Sequence, residues 1–149
     1  EIYGKSNLGS YDYENRLKKR VLDEGLENYV LFKGFIPTIH EAIKDATIFL
    51  ITSNHEGMSN SLMEALALGL PCVSTDDSNG GARALIKDHI NGLLIPVGGT
   101  KECVEAIEEI ITNRELQDLL SKNAIIIRKE LSVDKIAAKW MTYIKTIAG

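Results

Sequence analysis

The 149 residues are 44% hydrophobic and 26% charged, enough apolar material to bury a core, and with only three prolines and twelve glycines the chain is no low-complexity polymer. A net charge of −4 leaves no general nucleic-acid footprint, and the longest apolar runs are far too short to span a bilayer as a helix. Cys72 and Cys103 form neither a metal-ligand spacing nor a disulfide framework; they read as small thiols in apolar segments, which suits a reducing cytoplasm.

Ile2-Tyr3 reads as a short strand entered partway along and ended by Gly4, so the chain reads as trimmed from something longer. A polar loop up to Ser10 fits the mouth of a sheet. Leu17, Val21 and Leu22 recur at helical spacing among charges and predict an amphipathic helix over 11–24, stopped by Gly25. Residues 29–33 are a compact apolar run, read as a buried strand. After the loop Phe35-Ile36-Pro37, Thr38 serves as N-cap of a short helix to about Lys44, with Glu41 in capping-box position. Residues 47–52 are β-branched and almost wholly apolar, which predicts a strand covered on both faces.

The segment His55 to Gly69 follows as a loop running into a helix, closed by Gly69 with Pro71 just beyond. Residues 72–75 read as a strand, 76–81 (DDSNGG) as a turn cluster, and a short helix from Gly81 or Ala82 runs through Ile86. Asn91-Gly92 makes a turn before a strand over 93–97, which Pro96 places near an edge or a strand end. Helices occupy about 100–148: one capped by Thr100, one over 114–130, and one from about Ser132 with Ile136, Trp140, Tyr143, Ile144 and Ile147 on one face. This alternation predicts an α/β fold, a Rossmann-like parallel sheet with helices on both faces. In such sheets ligands bind beyond the carboxyl ends of the strands.

The stretch HEGMSNSLMEALALG leaves that edge and carries the chemistry. Asn54, Gly57, Ser59, Asn60 and Ser61 supply loop and cap residues, and Leu62, Leu66 and Leu68 begin an apolar helical pattern. The first amides of a helix point outward with the positive end of the dipole behind them, a site for phosphate. A carboxylate repels phosphate, so Glu56 and Glu64, eight positions apart, fit acceptors for neutral hydroxyls beside it. An anion flanked by diols describes a sugar nucleotide. The competing reading is a capping box, Ser61 with Glu64, in which the second glutamate only returns to its own helix start.

These residues resemble the family 4 retaining glycosyltransferases, in the C-terminal, donor-binding half of their two-domain GT-B fold. The likeness runs through Ile2-Tyr3-Gly4, Val30-x-Phe-x-Gly-Phe, residues 46–53 with HEGMSNSLMEALALGLPCVSTD, Gly80-Gly81-Ala82-Arg83 and Asn91-Gly92-Leu93-Leu94. It implies that Glu64 binds ribose hydroxyls and that Glu56 lies near the donor hexose and the leaving bond. Backbone amides of Met58, Ser59, Asn60 and Ser61, beside Gly57, would touch the sugar and the diphosphate. The loop at Phe35-Ile36 would hold the base through its backbone. It implies one donor-binding domain over 1–149, no metal or cofactor, and a UDP- or GDP-sugar donor. The acceptor, a glycan or lipid-linked molecule, would be bound by a missing N-terminal domain, without which this polypeptide is expected to be inactive. Capsule, exopolysaccharide or lipopolysaccharide assembly in the bacterial cytoplasm, with peripheral contact at the inner membrane face, is the implied setting. The family's basic pair on the diphosphate has no match here, and Ala84 and Leu85 stand where many relatives carry an acid. A GT-B epimerase and a nucleotide-binding module without transfer activity are the alternatives.

The remaining polar residues read as structural. Arg83 reads as an exposed helix arginine before a phosphate ligand, Asp76-Asp77 as a turn before a metal site, and Lys18-Lys19-Arg20 as a solvated face. His55 reads as packed or solvated rather than a general base, and His40 and His89 as structural or exposed. Trp140 reads as packing, not as a sugar platform.

Overall fold

A computed structural model describes residues 1–4 and 11–148, so the loop expected up to Ser10 lies partly outside them. The chain divides into two compact units, Glu1–Ile39 and His40–Gly149, each taken by itself below.

In the first unit, strands β1 (Ile2–Tyr3) and β2 (Phe32–Gly34) pair in parallel, with Ile2 opposite Phe32 and Tyr3 opposite Gly34. Helix α1 (Tyr11–Asp23) ends as its glycine predicts. Gly25 sits at φ 67°, its N–H donates to Leu22 O at 3.1 Å, and the Leu26 N–H reaches back to Val21 O at 2.8 Å. These are the paired bonds of a Schellman motif, and a left-handed residue there favours glycine. The basic run is solvated as read: Lys18 pairs with Glu14 at 2.6 Å and Arg20 with Glu24 at 2.7 Å, both one helical turn away. The strand expected buried over 29–33 is not buried, since Tyr29 and Leu31 are exposed.

In the second unit, α2 (Ile39–Ile43) enters from the boundary and leads to a three-stranded parallel sheet ordered β3 (Phe49–Ile51), β4 (Cys72–Asp76), β5 (Leu93–Pro96). The described strands thus form a parallel pair in the first unit and a three-stranded parallel sheet in the second. Pro96 closes an edge strand, where its missing N–H breaks no ladder. Strand β3 is also an edge and Leu50 on it is exposed, so the apolar run 47–52 reports strand propensity and not cover on both faces. Helices α3 (Asn60–Leu68) and α4 (Gly81–Leu85) are the crossovers between successive strands, and α5 (Thr100–Thr112) follows β5. Helices lie on both sides of the parallel sheets.

The core forms where Val73, Leu93 and Ile95 meet Ala106 and Ile110 of α5 and Leu120 of α6 (Arg114–Ala124). The helices differ from expectation in three places. Gly99, not Thr100, stands at the N-cap of α5, and it makes no side-chain cap bond. The helix expected over 114–130 breaks into α6 and α7 (Ile127–Glu130). At Ile125-Ile126 the chain tightens to three-residue bonds, Ile126 N–H to Asn123 O at 3.2 Å and Arg128 N–H to Ile125 O at 3.1 Å. Helix α8 (Val133–Ala148) has the predicted apolar stripe but buries no residue; Trp140 is 61% exposed and meets Tyr143 edge-on.

Helix α3 is held by its apolar face, Leu62, Ala65 and Leu66 being at most 1% exposed. Its C-terminus closes on Gly69, at φ 82°, with Leu70 N–H bonded to Ala65 O at 3.1 Å. Leu66→Ala is expected to cost about 2–5 kcal/mol. Gly69→Ala, which forces a Cβ to within 2.9 Å of Ile125 at a left-handed φ, should cost about 1–2 kcal/mol. Urea midpoints check both, and an unchanged midpoint in either variant contradicts this account of the anchor.

Candidate functional site

Residues 52–59 leave the carboxyl end of β3 and turn into α3. Ser59 is the N-cap, with extended backbone (φ −71°, ψ 118°) and a side chain only 6% exposed. Its hydroxyl accepts from the Leu62 N–H at 3.4 Å and lies 3.0 Å from the Ser61 hydroxyl, while its carbonyl accepts from the Met63 N–H at 3.1 Å. The cap is therefore two residues earlier than a Ser61–Glu64 capping box requires. Glu64 lies beyond the first turn, is exposed, and is not spent on its own helix start. Glu56 is half-buried. Among the described residues, neither carboxylate has a hydrogen bond or ion pair, and the amides of Met58, Ser59, Asn60 and Ser61 donate to no protein acceptor.

The other end of α3 is sealed. The Ser121 hydroxyl donates to Gly69 O at 2.6 Å, and the Arg128 guanidinium donates to Ala67 O. A cation at the C-terminus and open amides at the N-terminus both follow the helix dipole. The positive end of the helix is thereby left as the free end.

The end of β4 and the loop after it support this first loop. The Thr75 hydroxyl donates to Ser53 O at 2.6 Å, and the Glu56 N–H donates to Asp77 Oδ2 at 2.7 Å. Gly81 packs so tightly that a Cβ there would lie 1.9 Å from Gly57 O. Asp77, Thr75 and Gly81 are the residues that sequence reading missed as parts of this site. Their partners lie 21 to 24 positions away, and no local pattern announces them. The turn expected over 76–81 is narrower, 77–80, since Asp76 ends β4 and Gly81 opens α4; within it Asn79 Nδ2 donates to Asp77 Oδ2 at 3.2 Å and the Gly80 N–H to Asp77 O at 3.2 Å. Asp76 takes Arg83 in a fork, both bonds 2.7 Å. That bond, first, and the charge behind it hold the Arg83 guanidinium in its charged form, so this arginine is a paired helix residue.

Glu56, Gly57, Met58, Ser59, Asn60, Ser61 and Glu64 share one continuous loop and helix start. Ile36 belongs to the first unit, half-buried in the loop after β2. His55 is exposed, and His89 stands between Asp88 (3.1 Å) and Glu109 (3.5 Å). Among the described residues no three His, Cys, Asp or Glu side chains converge as a metal site. Cys72 is buried, and burial pushes its thiol up, out of the reactive range.

Residues 2–126 match the glycosyl transferases group 1 family. The chain belongs to that family. The lipopolysaccharide core biosynthesis glycosyltransferase LpsE of Rhizobium meliloti is 29% identical over 115 residues, 77% of this chain and 33% of that protein. The poly(glycerol-phosphate) alpha-glucosyltransferase of Bacillus subtilis is 30% identical over 133 residues, 89% of this chain and 20% of that protein. The crystal structure of Anabaena HepE in complex with UDP superposes with a TM-score of 0.89 at 26% identity, over 97% of this chain and 40% of that one. HepE has also been solved with UDP-glucose. The expected α/β fold of the GT-B glycosyltransferases is thus the fold of this family member. The chain spans a third or less of these two curated relatives.

Ser59→Ala is expected to cost about 0.5–2 kcal/mol, the usual cost of losing a cap. Ser61→Ala should stay within about 0.5 kcal/mol. Thermal melts of the two variants check the cap assignment, which a larger loss in Ser61→Ala contradicts.

Proposed function

We propose that this chain is the donor-binding part of a retaining glycosyltransferase of family 4, which moves a hexose from a nucleoside-diphosphate sugar to a glycan or lipid-linked acceptor. The observation that carries the reading is the open amino end of α3, with Glu56 and Glu64 uncommitted beside it. The amides of Met58, Ser59, Asn60 and Ser61 take diphosphate oxygens. Glu64 accepts from the ribose hydroxyls, and Glu56 stands by the hexose and the bond that breaks. Gly57 keeps a side chain out of the approach to the sugar.

The chemistry follows from where charge develops. As the bond from the anomeric carbon to the diphosphate oxygen breaks, the leaving group gains negative charge while the sugar becomes cationic. Amides already aimed at the diphosphate stabilise that state more than the ground state. The helix dipole adds to the same field. A carboxylate at Glu56 favours positive charge on the sugar ring. This scheme assigns no metal and no cofactor to the transfer.

HepE, described in complex with UDP and with UDP-glucose, supports a UDP-sugar donor, with a GDP-sugar as the other choice of base. Retention is supported by the name of the B. subtilis relative, an alpha-glucosyltransferase: hexoses in UDP-glucose are α-linked, so an α product keeps the configuration. LpsE, named for lipopolysaccharide core biosynthesis, supports polysaccharide assembly, hence a cytoplasmic place at the inner membrane face. The acceptor would be bound by a further part of the longer polypeptide, as the relatives' greater length suggests.

Isothermal titration of the chain with UDP, GDP and ADP tests the reading. One diphosphate should bind weakly, with affinity unchanged by EDTA. Glu64→Gln should lower it about tenfold or more, as expected for losing hydrogen bonds to a charged acceptor. Binding of none of the three overturns the proposal. In a longer polypeptide containing this chain, diphosphate release only in the presence of acceptor is expected, whereas interconversion of the donor would indicate an epimerase.

A further inference from the structure

We propose that Asp77 is a positioning residue, whose buried carboxylate grips the Glu56 amide and thereby sets where the Glu56 side chain stands. The inference rests on the donor-site reading above and deepens it. Asp77 is 4% exposed, and one of its oxygens, Oδ2, takes both the Glu56 N–H at 2.7 Å and Asn79 Nδ2 at 3.2 Å. A carboxylate leaves water only where donors replace its hydration, so its burial and the loop's shape depend on each other. The first of these bonds is short and charge-assisted, the stronger kind.

The position of the bond matters more than its strength. The backbone nitrogen of Glu56 is one bond from its Cα, so anchoring it, with Gly57 O held against Gly81 on the other side of that Cα, restrains the direction in which the side chain leaves the loop. Two neighbouring contacts complete the hold: Thr75 Oγ1 on Ser53 O, and Gly81 against Gly57 O. The loop is thus gripped at 53, at 56 and at 57, and all three grips come from the segment 75–81. Asp77 is the member that acts on the proposed site residue itself. It touches no substrate and works through Glu56.

The test uses the 149-residue chain, 15N-labelled, with UDP-glucose and GDP-mannose as probes and Asp77→Ala, Asp77→Asn, Glu56→Gln and the Glu56→Gln/Asp77→Ala pair as variants. In Asp77→Ala the Glu56 amide proton should move upfield and lose hydrogen-exchange protection by about tenfold, the factor carried by a bond of this kind. Affinity for the nucleotide sugar that binds should fall, and Asp77→Asn, whose carbonyl still accepts from the amide, should recover most of both. The double variant should bind no more weakly than Glu56→Gln alone, because Asp77 acts through Glu56; a general structural role would add its own loss. A Glu56 amide that does not respond to Asp77→Ala overturns the proposal whatever the ligand result, and if Asp77→Ala fails to fold, an unaltered Glu56 amide in Asp77→Asn does the same. An amide that responds while affinity stays constant overturns the positioning role. A responding amide in a wild-type chain that binds neither sugar nucleotide overturns the donor-site reading and the positioning claim with it.

Discussion

A helix closed at one end and open at the other governs the second unit. At the C-terminus of α3 the carbonyls of Ala65, Leu66 and Ala67 are taken by Gly69, Leu70 and Arg128, and that of the cap residue Gly69 by Ser121, whereas the amides of 58–61 have no protein acceptor among the described residues. Because the dipole is a property of the whole helix, sealing the negative end does not weaken the positive one. The apolar face of Leu62, Ala65 and Leu66 then holds this field source rigidly against the sheet. Everything the site can do with an anion starts there.

A positive helix end alone would accept any small anion. Selectivity requires other groups at stated distances, and a flexible loop cannot hold them. The end of β4 and the segment after it answer this with a hydroxyl, a carboxylate and a bare glycine set against the Glu56 loop. The placement of Asp76 and Asp77 shows how adjacent acids separate their roles: one forks to an exposed arginine, and the other turns inward to a backbone amide.

Local chemistry was legible in the sequence wherever its cause was local. Gly25 and Gly69 marked helix ends because only a left-handed residue closes those turns, and both lie at φ of 67° and 82°. Pro96 marked an edge strand for the same kind of reason. The glutamate pair and its helix start could be read from spacing, but the cap itself could not: three of the four residues 58–61 are capping types, and only packing selected Ser59 over Ser61. Cover was not legible either. The apolar runs at 29–33 and 47–52 mark strands, yet Leu31 and Leu50 are exposed, since cover depends on which helices return over a strand. The grips of Thr75, Asp77 and Gly81 join residues more than twenty positions apart and have no periodic signature.

The exposure of Trp140 has a practical consequence for anyone following this chain by light. It is the single indole in the sequence, and it sits on the uncovered stripe of α8 beside Tyr143, remote in packing from the Val73–Ile110 core. Its fluorescence reports whatever comes to rest on that stripe, so a quench or blue shift on adding another molecule signals contact with α8 before it signals folding.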